Sequence, residues 1–363
     1  MRKMLFVMLS MAVLGLTACS GNSSTPSAGT EAKKTDTQAA ESDSGEDSGG
    51  WVPKDDIEFI VGNSAGGGAD LFTREVVSII DQYKMCPTNI TVVNKPGSSH
   101  VAGYTYLLDH GDDYHLDVTS ASFFTQPVSG NSPFKFEDFS YVAMLCKDPN
   151  LLFAANNAPF SDFDGMIEYA KSNPGAVSAA GSSAYSDDAI LCNMIQSTCG
   201  VELNYVTYES GADVLAAVMG GHVQLGILNP AEVGDNITAG NVKPIVVSAE
   251  KRVAMDGMEE VPTFKEAGVD IEHEQPRGFV MSNKASQEAV QYYADLLGKV
   301  AETPEWKEYL QQQCMEEEVY LAEDWEKVAK GHYVEVYTEY VGRILADTNN
   351  LKSDLTMADE NEE

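Results

Sequence analysis

Residues 57–75 read IEFIVGNSAGGGADLFTRE. An apolar, β-prone run passes through three consecutive glycines into a helical stripe at Leu71, Phe72, Val76, Ile79 and Ile80. Strand, small-residue loop, helix: the same order recurs in AAGSSAYSDD at 179–188 and VTYESGADVL at 206–215. Strands separated by helices build mostly parallel sheets, so the chain is an α/β protein. In such sheets ligands sit outside the carboxyl ends of the strands, where three loops of this kind converge on one cleft.

The rest of the body keeps the alternation. Strands are expected at 57–61, 90–93, 151–155, 177–180, 203–208, 223–228 and 245–248, with β-prone stretches around 116–120 and 141–145. Helices are expected at 71–83, near 101–108, at 187–197 and 212–219, and up to Lys171 behind a cap at Asp162 or Asp164. The C-terminal third reads as helices at 287–302, 305–312 and 324–347, in which Trp325, Tyr333, Tyr337 and Tyr340 belong to the core. These are too many units for one comfortable sheet. A second α/β domain inserted into the first, with two or more chain crossings, suits the length.

Both ends of the chain differ from this body. Arg2 and Lys3 precede an apolar run over residues 4–16, too short for a membrane span of roughly 20 residues but suited to a signal peptide. The run ends in Leu16-Thr17-Ala18-Cys19, which resembles a lipobox: cleavage before Cys19, then lipidation of its thiol. Residues 20–50, rich in Ser, Thr, Gly, Ala, Asp and Glu, read as a disordered tether, and the acidic tail as frayed. The net charge of −33 argues against nucleic acid and against an anionic membrane surface as partners. Beyond Cys19, the five cysteines Cys86, Cys146, Cys192, Cys199 and Cys314 match no zinc spacing, and their odd number excludes a fully paired framework. Cys192 and Cys199 are either a pair around a helix end or free thiols. His100 reads as a surface histidine, and Asp109, His110, Asp112, Asp113 and His115 as a polar turn, with no metal site expected.

Three readings of the opening loop compete. A phosphate cradle fails, because Gly68 stands where a Walker loop needs lysine, and Leu71 where a dinucleotide fingerprint needs its last glycine. A nucleophile elbow has the literal G-x-S-x-G in Gly62-Asn63-Ser64-Ala65-Gly66. Yet the first strand of the body leaves no earlier loop to supply an oxyanion donor, and no histidine sits in a triad context. A secreted serine hydrolase using Ser64 stays as the alternative from another class. The third reading is an anion seat of backbone amides at Gly66, Gly67 and Gly68, at the positive end of a helix, with Asp70 holding the loop.

The motifs together resemble the receptor component of the tripartite tricarboxylate transporters, the Bug-type extracytoplasmic solute receptors. The family's I-V-P-F-x-P-G-G-x-x-D-x-x-A-R stands against IVGNSAGGGADLFTR, and its Asn-Arg-Pro-Gly stretch against Asn94-Lys95-Pro96-Gly97-Ser98. Its Val-Pro-Tyr-Lys-Gly-Gly and Gly-Gly-x-Val-Asp elements stand against VTYESGADVLAAVMGGHVQLGILN. AGNVKPIVVSAEKR and VPTFKEAG complete the set, the last being the most specific match. The resemblance covers residues 57–344 and implies a two-domain periplasmic-binding-protein (Venus flytrap) fold, type II-like, with a ligand cleft between domains. The expected organisation is a signal peptide at 1–18, Cys19 and tether at 19–54, domain 1 at 55–154 and 276–350, domain 2 at 155–275, and a disordered tail at 351–363.

Carried over by position, Asn63, Ser64, Ala65, Gly66, Gly67, Gly68 and Asp70 hold a ligand carboxylate from the first domain, with Ser98 beside them. Gly181, Ser182, Ser183, Tyr208, Ser210, Gly211, Ala212 and Asn229 face it from the second. Arg277 either reaches a second carboxylate or forms a hinge salt bridge. The resemblance implies no cofactor, a monomeric receptor anchored by lipid at Cys19 outside the cytoplasm, and the large and small membrane subunits of a permease as partners. This chain departs from the pattern at Gly62 and Asn63, where the family has proline and an aromatic. It departs again at Asp187-Asp188, where a histidine is common, and at Asn229, where an aspartate is common. A neutral ligand, or a receptor serving another transporter or a sensor, therefore stays open.

Overall fold

A computed structural model of the chain describes residues 50–130, 132–208 and 210–359. The expected signal peptide, Cys19 and most of the tether lie outside the described residues. The body is already packed at Trp51, whose ring lies 5.4–5.9 Å from Tyr114, Tyr292 and Tyr293, so order begins before the expected end of the tether at 54.

In chain order the first group is β1 (Ile57–Val61), α1 (Gly68–Tyr83), β2 (Ile90–Asn94), α2 (Val101–His110), β3 (His115–Thr119), α3 (Ala121–Ser129) and β4 (Phe139–Pro149). The second is β5 (Leu151–Ala155), α4 (Phe163–Ser172), β6 (Val177–Gly181), α5 (Asp187–Cys199), β7 (Leu203–Thr207), α6 (Gly211–Met219), β8 (Leu225–Leu228), α7 (Pro230–Thr238) and β9 (Val242–Val247). β10 (Glu274–Ser282) then rejoins the first group, followed by α8 (Gln287–Ala301), α9 (Pro304–Gln313), β11 (Glu316–Leu321), α10 (Ala322–Val328) and α11 (Val334–Asp359). A π turn at Ala329–Tyr333 joins α10 to α11.

Two sheets result, ordered β11-β4-β10-β3-β1-β2 and β7-β6-β8-β5-β9. β1 is parallel to β2 and β3, and β6 to β7 and β8, as the βα pattern requires. β10 and β11 run antiparallel to β4, and β5 antiparallel to β8 and β9. The chain changes sheet at Asn150, four residues before the expected boundary, and returns between β9 and β10. At these crossings Asn150 and Ser248 bond reciprocally: the Asn150 amide donates to Ser248 Oγ at 2.9 Å, and the Ser248 amide to the Asn150 carbonyl at 2.9 Å. This is the two-domain α/β architecture expected from the sequence.

Each sheet is held by its helices. α1 buries Phe72, Val76, Ile79 and Ile80 against β1 and β3, each contributing about 1.5–3 kcal/mol. Leu71, expected in the same stripe, is 47% exposed, because the helix turns that position outward. Trp325, Tyr333 and Tyr337 are core, and α11 packs on α3 of the first sheet and α5 of the second. α11 continues to Asp359 where a frayed tail was expected, since no glycine or proline interrupts it after Gly342. Cys192 and Cys199 are free thiols, as are Cys86, Cys146 and Cys314.

Candidate ligand cleft

A cavity of about 460 Å³ opens between the two sheets. Five helix starts line it: Gly67, Gly68 and Ala69 of α1; Ser120, Ala121 and Ser122 of α3; Ser186, Asp187 and Asp188 of α5; Gly211 of α6; and Asn229, Ala231 and Glu232 of α7. α1, α3 and α5 carry no side-chain cap. Gly68 and Ala69 N–H have no hydrogen-bond partner among the described residues. Each helix start carries about half a positive charge, and uncapped N–H groups are ready donors. A strongly acidic protein thereby acquires a cavity with donors from both sides.

The two principal loops are braced alike. In the first, Asp70 is 1% exposed and its carboxylate accepts from Gly66 N–H at 2.9 Å, Asn94 Nδ2 at 2.9 Å and Arg74 Nε at 2.9 Å. Burial alone would raise this carboxyl; the Arg74, Gly66 and Asn94 donors outweigh it and hold the group below the usual range. In the second, Asp188 accepts from Ser182 N–H, and burial pushes its carboxyl up. Tyr205 Oη donates to the Ser183 carbonyl at 3.0 Å beneath the same loop. Gly181 is required by this packing: a Cβ there would lie 2.0 Å from Tyr205 Oη and 2.3 Å from Asp188 Oδ2.

Two ionic nodes join the lobes. Arg277, 5% exposed on β10, donates from Nε to Asp148 Oδ2 of β4 at 2.6 Å, with Nη2 at 2.5 Å. Asp148 also accepts from Asn229 Nδ2 at 2.9 Å, which links β4 to the start of α7. Arg277 Nη1 makes no hydrogen bond among the described residues, and the guanidinium lies against Gly68, where a Cβ would stand 3.1 Å from Nη2. The second node is Asp187, which accepts from His273 Nε2 at 2.8 Å, from Tyr337 Oη at 2.7 Å and from Asn150 Nδ2. Burial pushes the Asp187 carboxyl up, but these three donors together hold it below the ordinary value.

Of the residues singled out in the sequence, Asn63, Gly67, Gly68, Ser182, Ser183, Gly211, Asn229 and Arg277 line the cavity. Ser64, Ala65 and Gly66 lie exposed on the first loop, outside the lining. Asp70 and Gly181 sit behind their loops, and Ser210 caps α6 by accepting from Asp213 N–H at 3.2 Å. Ala212 and Tyr208 are outside the lining, and Ser99 takes the place expected for Ser98. The sequence reading passed over Asp148, Asn150, Ser120, Ser122, Glu232 and Tyr309. Ser120 and Ser122 were reachable, since VTSASFF repeats the strand, small-residue, helix order. The Ser64 hydroxyl has no hydrogen-bond partner among the described residues. His100, expected at the surface, is 1% exposed beneath the loop, because Gly62 leaves room for its ring.

Two lobes with facing loops over one cleft are the architecture of a protein that holds a small solute between its halves. The model of the tripartite tricarboxylate transporter family receptor matches residues 81–335, and the chain belongs to that family. A Cupriavidus necator protein described as a UPF0065 protein in the gbd 5′ region is 24% identical over 268 residues, 73% of this chain and 80% of its own. A TctC solute-binding protein from Polaromonas, solved without ligand, superposes with a TM-score of 0.66 at 25% identity, covering 81% of this chain and 99% of that one. An R. palustris protein solved with adipate superposes at 0.67 with 20% identity, covering 80% and 96%.

Proposed function

We propose that this receptor captures a small organic carboxylate in the cleft and delivers it to the large and small membrane subunits of a tripartite tricarboxylate transporter. The carrying observation is the unpartnered Gly68 and Ala69 N–H groups beside the free Nη1 of buried Arg277, all at one cavity wall. A carboxylate there accepts from two amides and a guanidinium, the charge-assisted geometry that binds anions most strongly. Ser182, Ser183 and Gly211 complete the seat from the second lobe, so ligand favours the closed state by touching both. The adipate in the R. palustris protein is in keeping with this chemistry. Lipidation at Cys19 would keep a monomeric receptor at the outer face of the membrane.

A neutral or zwitterionic ligand is the second reading. It is favoured by Asp187, Asp188 and Glu232, which give the second-lobe wall an acidic lining. A thermal-shift screen against mono-, di-, tri- and aromatic acids and neutral metabolites separates the two. Native-state binding adds about 2.7 kcal/mol at a hundredfold excess over Kd. Shifts with carboxylates support the proposal; shifts confined to neutral compounds remove the carboxylate seat.

A further inference from the structure

Beneath the first ligand loop lies a buried polar group that the carboxylate seat does not use. His100 is 1% exposed and Asp117 fully buried. The imidazole stacks on Tyr104, with ring centroids 4.4 Å apart at 18°, and fills the space over Gly62, where a Cβ would stand 2.0 Å from its Cδ2. This explains why glycine replaces the proline of the family pattern. The ring is delivered by a strained segment: Ser98, Ser99 and His100 all have positive φ, at 49°, 50° and 74°. Three successive non-glycine residues in that region are costly, and such strain collects at functional sites.

The hydrogen bonds of the ring determine its protonation pattern. Gly62 N–H, which can act as a donor and nothing else, points at His100 Nε2 from 2.9 Å. Nε2 therefore presents its lone pair, and the ring hydrogen resides on Nδ1. Nδ1 lies 3.0 Å from Asn63 Oδ1, so Nδ1–H donates to that oxygen. Asp117 Oδ1 lies 2.8 Å from the same Nε2, so its carboxyl O–H is the donor there and shares the one Nε2 lone pair with Gly62 N–H. Burial also pushes the Asp117 carboxyl up.

With Oδ1 held by His100, the Asn63 side chain has its NH2 left over. That group has no partner among the described residues, and Asn63 lines the cavity. We infer that His100 and Asp117 are positioning residues that lock the Asn63 amide as a hydrogen-bond donor, so that the cleft selects ligands whose second polar group is an acceptor oxygen. The inference rests on the cleft being the solute site. It assigns to Asn63 a discriminating role against ligands ending in an ammonium, which would meet two like donors.

Nitrogen NMR of the ¹⁵N-labelled full chain, with His100→Phe to assign the resonances, reads the ring directly. Hydrogen on Nδ1 is expected; a neutral ring with its hydrogen on Nε2 alone overturns the inference. Binding of succinate, succinamate and 4-aminobutyrate then reads the consequence. The first two should bind about tenfold more tightly than the third, the worth of roughly one hydrogen bond. Asn63→Asp should reverse the order of succinate and 4-aminobutyrate. His100→Phe, which keeps the stack on Tyr104, should shrink the ratio toward unity. An unchanged order in Asn63→Asp overturns the inference. If the wild type binds none of the three, the acid screen decides the carboxylate reading of the cleft, while the Nδ1 hydrogen still decides the present inference.

Discussion

Replacing Glu274 by glutamine should flatten a pH dependence of stability that the wild type carries at the back of the hinge. Glu274 opens β10 and is 5% exposed. Lys147 Nζ lies 3.1 Å from its Oε2, 3.2 Å from Glu318 and 3.8 Å from Glu316, so one ammonium faces three carboxylates. The most buried of them yields: burial, then the Glu316 charge, push Glu274 from an ordinary 4.5 to about 8. A folded-state value raised above the unfolded one stabilises the protein while both forms hold the proton. That stabilisation is complete below pH 4.5 and is lost as pH rises through about 8. Each pH unit in this window removes about 1.4 kcal/mol, so going from pH 5 to pH 8 removes on the order of 4 kcal/mol. Lys147 is held above its ordinary range and stays charged in both states across this window. Urea unfolding of wild type and Glu274→Gln at each unit from pH 5 to pH 8 measures the effect. The difference in unfolding free energy should shift steadily in favour of the variant. Parallel profiles would refute the reasoning.

The loop makes three further predictions. Gly67→Val should abolish ligand binding with little change in Tm, because a Cβ there meets nothing nearer than the Ser64 carbonyl at 3.5 Å while the side chain occupies the cleft; isothermal titration checks it. Asp70→Ala should cost about 1–3 kcal/mol in denaturant unfolding, since it removes the buried acceptor that ties together the Gly66, Asn94 and Arg74 donors. Ser64→Ala should leave affinity within a few tenths of a kcal/mol on the order expected of an exposed position, and Ser64 should resist a fluorophosphonate probe; labelling would restore the hydrolase alternative.

The parallel half of each sheet was legible because β1, β6 and β7 are short apolar runs punctuated by glycine and serine before a helix stripe. β10 and β11 were not. β10 begins Glu-Gln-Pro-Arg, and both Glu274 and Arg277 are buried by partners far away in sequence. β11 opens with three glutamates at a sheet edge, where an alternating apolar pattern is not demanded. The same limit applies within the cleft. Backbone seats leave a mark in the sequence, since glycine and serine stand where a Cβ or a bulky side chain would obstruct. Asp187 leaves none: its role depends on His273 and Tyr337, 86 and 150 positions away, which the fold alone brings to it. His100 was misplaced for a related reason, as the space it fills exists because residue 62 lacks a side chain.

The C-terminal helix bears on how the two halves can part. α11 rests on α3 and α5 at once, and Tyr337 ties it to the Asp187 carboxylate beside both crossings. A door hung at three points along one edge swings about that edge and resists twisting. The halves also meet where α7 touches α9, and a pair of spectroscopic labels on those two helices would follow the swing.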